Sequence, residues 1–211
     1  MPMGFMPMCG ETWLCGTASF LVLWVAMAAA MMLPSLAPVL WRYHQMMEWA
    51  GARRNTLTGL MGLGYFFVWA ALGIVAYPLA AALATVQTQL SGRAVPIALA
   101  GVVLLAGAVQ LSAWKAGHLA SCRAAPGQLP SDTATALRHG LRLGQHCVCS
   151  CAGLTAVMLI SGMMDMRVMA AVTATITAER LAPAGERIAQ GVGAMTIGAG
   201  LSLMAQAAGL G

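Results

Sequence analysis

The segment HCVCSCAGLTAVMLISGMM, residues 146–164, sets three cysteines and a histidine at the mouth of an apolar run long enough to enter a bilayer. Thiols and an imidazole at that depth are costly as decoration and useful as a soft-metal or redox site. The apolar character extends from Gln145 to Thr177, interrupted in the middle by Asp165 and Arg167, so it reads as a hairpin of two spans rather than one crossing.

The rest of the chain agrees with this reading. With 60% of 211 residues hydrophobic, only 8% charged and a mean hydropathy of +0.78, there is too little polar surface to coat a soluble globule. The expectation is an all-α, polytopic membrane helix bundle of about six transmembrane helices, with spans at about 16–40, 57–85, 95–113, 145–164, 166–178 and 188–210. Residues 1–15 read as a Met/Cys-rich extracytoplasmic tail and 16–211 as a single six-helix domain, since no repeat or long linker divides them. In the last span Ala194 and Gly198 form a small-xxx-small pair suited to close helix contact.

The net charge of +5 sits in the connections between apolar runs, which argues for membrane topology and against nucleic acid. Arg42, Arg53, Arg54, Lys115, Arg123, Arg138, Arg142, Arg180 and Arg187 fall on one side, and Arg93 and Arg167 on the other. The positive-inside rule then puts both termini outside the cytoplasm of a bacterial inner (cytoplasmic) membrane. The N-terminal residues carry no Lys or Arg, so the first span reads as an anchor rather than a cleaved signal peptide.

Helical spacing sorts the sulfur and imidazole groups. Cys147 and Cys151, four apart, share a face, whereas Cys149 points away and meets His146 at a three-residue spacing. After the third span His118 and Cys122 repeat the four-residue spacing at a similar depth, so His118, Cys122, His146 and Cys147 are expected to converge, with Met31 nearby. In the first span Trp24, Met27 and Met31 form a stripe with Met32 beside it and Pro34 one turn on, and Met158 extends the Cys147 face outward as a ladder of sulfurs. The candidate metal ligands are His118, Cys122, His146, Cys147, Cys149, Cys151, Met27 and Met31.

This donor set is soft. Cu(I) accepts two or three thiolate or thioether ligands, whereas a structural zinc site wants four, so copper is the first expectation and zinc the second. On the outer side Met1, Met3, Met6, Met8, Cys9 and Cys15, facing Met163, Met164, Asp165, Met166 and Met169, suit copper capture; Cys9 and Cys15 also suit a disulfide. The bland alternatives are packing roles for buried cysteines and methionines. Lys115 and Arg123 read as snorkelling anchors, Asp165 as a turn residue, Glu179 and Arg180 as a span boundary, and His44 and His139 as loop histidines without a role. Gly59, Gly62 and Gly64 before Tyr65, Phe66, Phe67 and Trp69 read as helix packing. Between the third and fourth spans, Ala125 to Pro130 reads as a turn and Ser131 as the cap of a short helix.

The pattern resembles a family of bacterial predicted metal-binding integral membrane proteins with a cysteine-rich fourth span. The matching residues are Trp24, Met27, Met31, Met32 and Pro34; Gly64, Tyr65 and Trp69; Lys115, His118, Leu119, Cys122 and Arg123; Gly140, Gly144, Cys147 and Cys151; Gly162, Met164 and Met169; and Glu179, Arg180 and Pro183. The chain departs from it with His118 in place of a cysteine, Ser150 before Cys151 where cysteines are adjacent, Cys149 in place of a glycine and Asp165 in place of an asparagine. The resemblance implies metal binding by the cysteine-rich segment.

Three functions compete. The first is copper handling by binding, delivery or transport, with a periplasmic metal carrier as partner besides the lipid bilayer. The second is an accessory or assembly subunit of a larger membrane complex. The third is membrane thiol redox chemistry, which the absence of a Cys-x-x-Cys spacing disfavours. No nucleophile elbow, phosphate-binding glycine loop or H-E-x-x-H pair is present, which argues against an enzyme.

Overall fold

Long apolar runs favour helices because a helix satisfies its own backbone donors and acceptors without water. In a computed structural model, which describes residues 13–89, 94–123, 132–161 and 165–209, seven α-helices and no strand account for the described chain. They are α1 (Trp13–Met46), α2 (Arg53–Gln89), α3 (Ala94–Leu111), α4 (Ala113–Arg123), α5 (Thr133–Ser161), α6 (Met166–Leu181) and α7 (Gly185–Ala207). A single 3-10 turn, Glu48–Ala50, and Gly51 at a φ of 55° reverse the chain between α1 and α2.

Among the described residues five stretches are long and apolar enough to cross a membrane: Gly16–Met46, Arg53–Leu79, Ala94–Leu111, Thr133–Ile160 and Gly185–Ala207. Their outward faces carry exposed Val22, Leu23, Phe67, Ile74, Val75, Leu105, Met195 and Leu201, an apolar girdle. The span expected at 166–178 is not among the five. It is the 16-residue α6, about 24 Å long, and its N-terminus is capped by Asp165, whose carboxylate accepts from the backbone N–H of Arg167 at 2.8 Å. Asp165 is thus an N-cap, the turn role the sequence suggests.

Other boundaries also move. The fourth span, expected from 145, belongs to a helix that begins at Thr133 with Asp132 at its start, so the short leading helix and the span are one rod. Hydrogen bonds from Thr135 hold the Asp132 carboxyl below the usual carboxylate range. The expected turn at 125–130 and the expected cap Ser131 lie outside the described residues. After the third span the chain breaks at Ser112 and starts α4, a helix the hydropathy pattern hides because its composition is balanced.

The tightest packing is at the small residues. Ala136, Gly140, Gly144, Cys147, Cys151, Leu154 and Met158 form the buried stripe of α5, spaced three and four apart as one helix face demands. A Cβ at Gly140 would collide with the carbonyl of Met61, and one at Gly144 would lie 2.9 Å from the carbonyl of Tyr65, so α5 meets α2 backbone to backbone. Trp24 of α1 donates its indole N–H to the Trp69 carbonyl at 2.9 Å, tying α1 to the same layer. Between α3 and α7 the close approach uses Gly107, Gly193 and Gly200. The expected Ala194 and Gly198 face outward instead, because the contact face of α7 is set by Ala189, Gly193 and Gly200.

Candidate metal centre

The glycine contacts between α2 and α5 bring Tyr65 onto the cysteine face. Its phenol lies 2.9 Å from Cys147 Sγ, and the Met32 thioether of α1 lies 3.8 Å from the same sulfur. Cys151, one turn along, is within hydrogen-bonding reach of Cys147, and Ser150 Oγ lies 3.7 Å from the Cys151 sulfur. Cys147 is fully buried and Cys151 and Met32 nearly so. Met31, also buried, and half-buried Met27 pack in the same core, and Met158 lies on the face of α5 that carries Cys147 and Cys151.

Arg180 of α6 enters this cluster from the side. Its guanidinium donates to Cys122 Sγ at 3.4 Å and to Ser35 Oγ at 3.3 Å, and its charge acts on Cys147, Cys151, Tyr65 and Cys122 together. Burial pushes the Cys122 thiol above its ordinary pKa while Arg180 pulls it down. A buried guanidinium surrounded by thiols supplies the countercharge that thiolates would need.

The groups expected in one pocket therefore divide. Cys122, Cys147 and Cys151 share the surroundings of Arg180, whereas His118 and His146 pair with each other, Nδ1 to Nδ1 at 2.9 Å, at a half-exposed edge of α4 and α5. The cause is helical geometry: His146 and Cys147 are consecutive and so point about 100° apart, and α4 buries Lys115, Leu119 and Cys122, leaving His118 on its flank beside Trp114. Cys149 is half-buried, off the cluster face. Among the described residues no three His, Cys, Asp and Glu side chains gather as a metal-holding group; the cluster's further donor is a thioether. The outer tail 1–12, Met163 and Met164 lie outside the described residues, as do the side chains of Cys9 and Cys15.

Three expectations are corrected here. Lys115 does not snorkel: its side chain is 1% exposed and its ammonium bonds Glu179 at 2.7 Å, while the Gln110 amide donates to the other carboxylate oxygen. Each charge is thus the neutralising partner of the other in a buried site. Glu179 and Arg180, read as boundary markers, are both buried because α6 packs its C-terminal turn among α1, α4 and α5. Tyr65, Met32 and Arg180 join the site without being among the ligands expected from the sequence. The signal for Arg180 is a charged residue at the end of an apolar run.

A family model described as "PpoB2: Copper chaperone" matches residues 21–203. No curated protein and no solved structure matches the chain.

Proposed function

The chain belongs to the PpoB2 copper chaperone family, and on that premise we propose that it is an integral protein of the bacterial inner membrane that carries Cu(I) as cargo on Cys147, Cys151, Cys122 and Met32. The observation that carries this reading is the sulfur pair Cys147 Sγ and Met32 Sδ, 3.8 Å apart in a buried core. Two metal–sulfur bonds of about 2.3 Å meeting at roughly 120° separate their sulfurs by about 4 Å. The pair is spaced for one soft cation, with Cys151 one turn along as the nearest further ligand and Cys122, joined to the cluster through Arg180, as a donor that a small rearrangement would bring in.

Charge supports the same reading. Cu(I) binding displaces thiol protons, and one monovalent cation with one guanidinium balances two thiolates, so the loaded cluster beside Arg180 is neutral. The Tyr65 hydroxyl donates to the Cys147 thiolate and orients it. His118 and His146 form a second, borderline-soft pair nearer the surface, a hand-off point. Met27 and Met31, packed in the same core, belong to the reading as secondary sulfur ligands, whereas Cys149, three residues from His146 on its helix, belongs with the histidine pair. The short α6 returns beside α5 as a sixth crossing, which leaves both termini outside the cytoplasm, and delivery implies a recipient, a periplasmic carrier or a larger membrane complex.

The test is elemental analysis of purified protein reloaded with Cu(I). The wild type should bind copper near stoichiometrically and Cys147→Ser with Cys151→Ser should lose at least nine-tenths of it. Unchanged occupancy in that double variant would overturn the assignment.

A further inference from the structure

Beside the sulfur cluster a cleft of ≈ 250 Å³ opens between α1, α4, α5 and α6, lined in part by Ser35, Arg42, Cys122, Arg123 and Arg180. Its charged lining is three arginines and no carboxylate. Arg180 is 9% exposed, and its Nε has no hydrogen-bond partner among the described residues. Arg123 is partly occupied, donating to the carbonyls of Ala182 and Pro183 at 2.6 and 3.3 Å. Arg42 is exposed, and the one ion pair among the described residues is Lys115 with Glu179, so Arg42 carries an unmatched charge. Cys122 thus has two neighbourhoods, the cationic cleft on one side and the buried thiols on the other.

A bare copper ion is repelled by three guanidinium groups, whereas an anion is drawn in. We propose that the cleft docks an anionic low-molecular-weight Cu(I)–thiolate complex, one whose small thiol ligands carry carboxylates, and that Cys122 takes the metal from it. The proposal rests on the reading of Cys122 as part of the copper cluster. In the exchange one bond from copper to a carrier sulfur breaks as the bond to Cys122 Sγ forms, and the other breaks as a bond forms to Cys151 Sγ, which shares the surroundings of Arg180 with Cys122. The proton displaced from each cysteine goes to the carrier sulfur that departs, and copper stays monovalent. The arginines hold the carboxylates of the carrier during the exchange, and each freed thiol, no longer tethered through copper, leaves by dilution.

The experiment compares two copper donors on full-length protein in uncharged detergent: anionic Cu(I)–glutathione and the cationic Cu(I)–acetonitrile complex. Arg42 is the residue to vary, because it is exposed and holds no structural contact that Arg123 and Arg180 hold. Loading from Cu(I)–glutathione should slow about three-fold in Arg42→Gln and about ten-fold or more in Arg42→Glu, recover in Arg42→Lys and weaken with added salt. Loading from Cu(I)–acetonitrile should be unchanged or faster. Equal loss with both donors, or no loss with either, overturns the proposal. So does an arginine dependence that arises only when phosphatidylglycerol is added, since that outcome makes the cleft a lipid-headgroup site. A wild type that takes copper from neither donor overturns instead the copper reading itself.

Discussion

Replacing Lys115 by methionine should destabilise the fold far more than a surface lysine would, and the structure sets the size of the effect. The ammonium bonds the Glu179 carboxylate at 2.7 Å with both side chains almost fully buried. Removing one partner of such a pair strands the other, at a cost of about 3–5 kcal/mol. On the scale of soluble proteins of this length that is a fall in Tm of roughly 6–20 °C. The double variant Lys115→Met with Glu179→Gln leaves a neutral amide pair with Gln110 and should recover to within about 1 kcal/mol of wild type. Thermal unfolding in detergent measures all three proteins. A double variant as unstable as the single one, or a single variant with no loss, would refute the buried pair.

Three further outcomes follow from the packing and the cluster. Gly140→Ala should cost about 1–3 kcal/mol, measured by the same unfolding assay, because its methyl group meets the Met61 carbonyl and separates α2 from α5. Tyr65→Phe should weaken Cu(I) binding about two- to ten-fold in competition with a chromophoric chelator, the value of one hydrogen bond of about 0.5–1.5 kcal/mol. Copper at a hundredfold excess over its Kd should stabilise the wild type by about 2.7 kcal/mol and leave Cys147→Ser with Cys151→Ser unshifted.

Much of the helical framework is legible in the residues. The apolar runs become helices, five of them long enough to cross a membrane, because hydropathy alone dictates that outcome. The i, i+4 pairing of Cys147 and Cys151 predicts their shared face, and Gly140 and Gly144 on that face are the means by which α2 approaches. The extent of α5 and the existence of α4 are not legible from hydropathy, since both continue through charged, amphipathic sequence in which apolar content drops. Nor is the partition of the ligands. Local spacing states which groups share a face of one helix, but only the rotation of α4 about its own axis decides that Cys122 turns inward while His118 meets His146. The burial of Arg180 is hidden for a similar reason, because a boundary arginine and a buried one look alike until the neighbouring helices are placed.

Copper K-edge X-ray absorption on the Cu(I)-loaded full-length protein tests the cluster most directly. Two or three sulfur scatterers at about 2.3 Å, retained in His118→Ala with His146→Ala, are the result that a Cys147, Cys151, Cys122 and Met32 site predicts. A first shell dominated by nitrogen, lost in that histidine variant, would place the copper on the imidazole pair and contradict it.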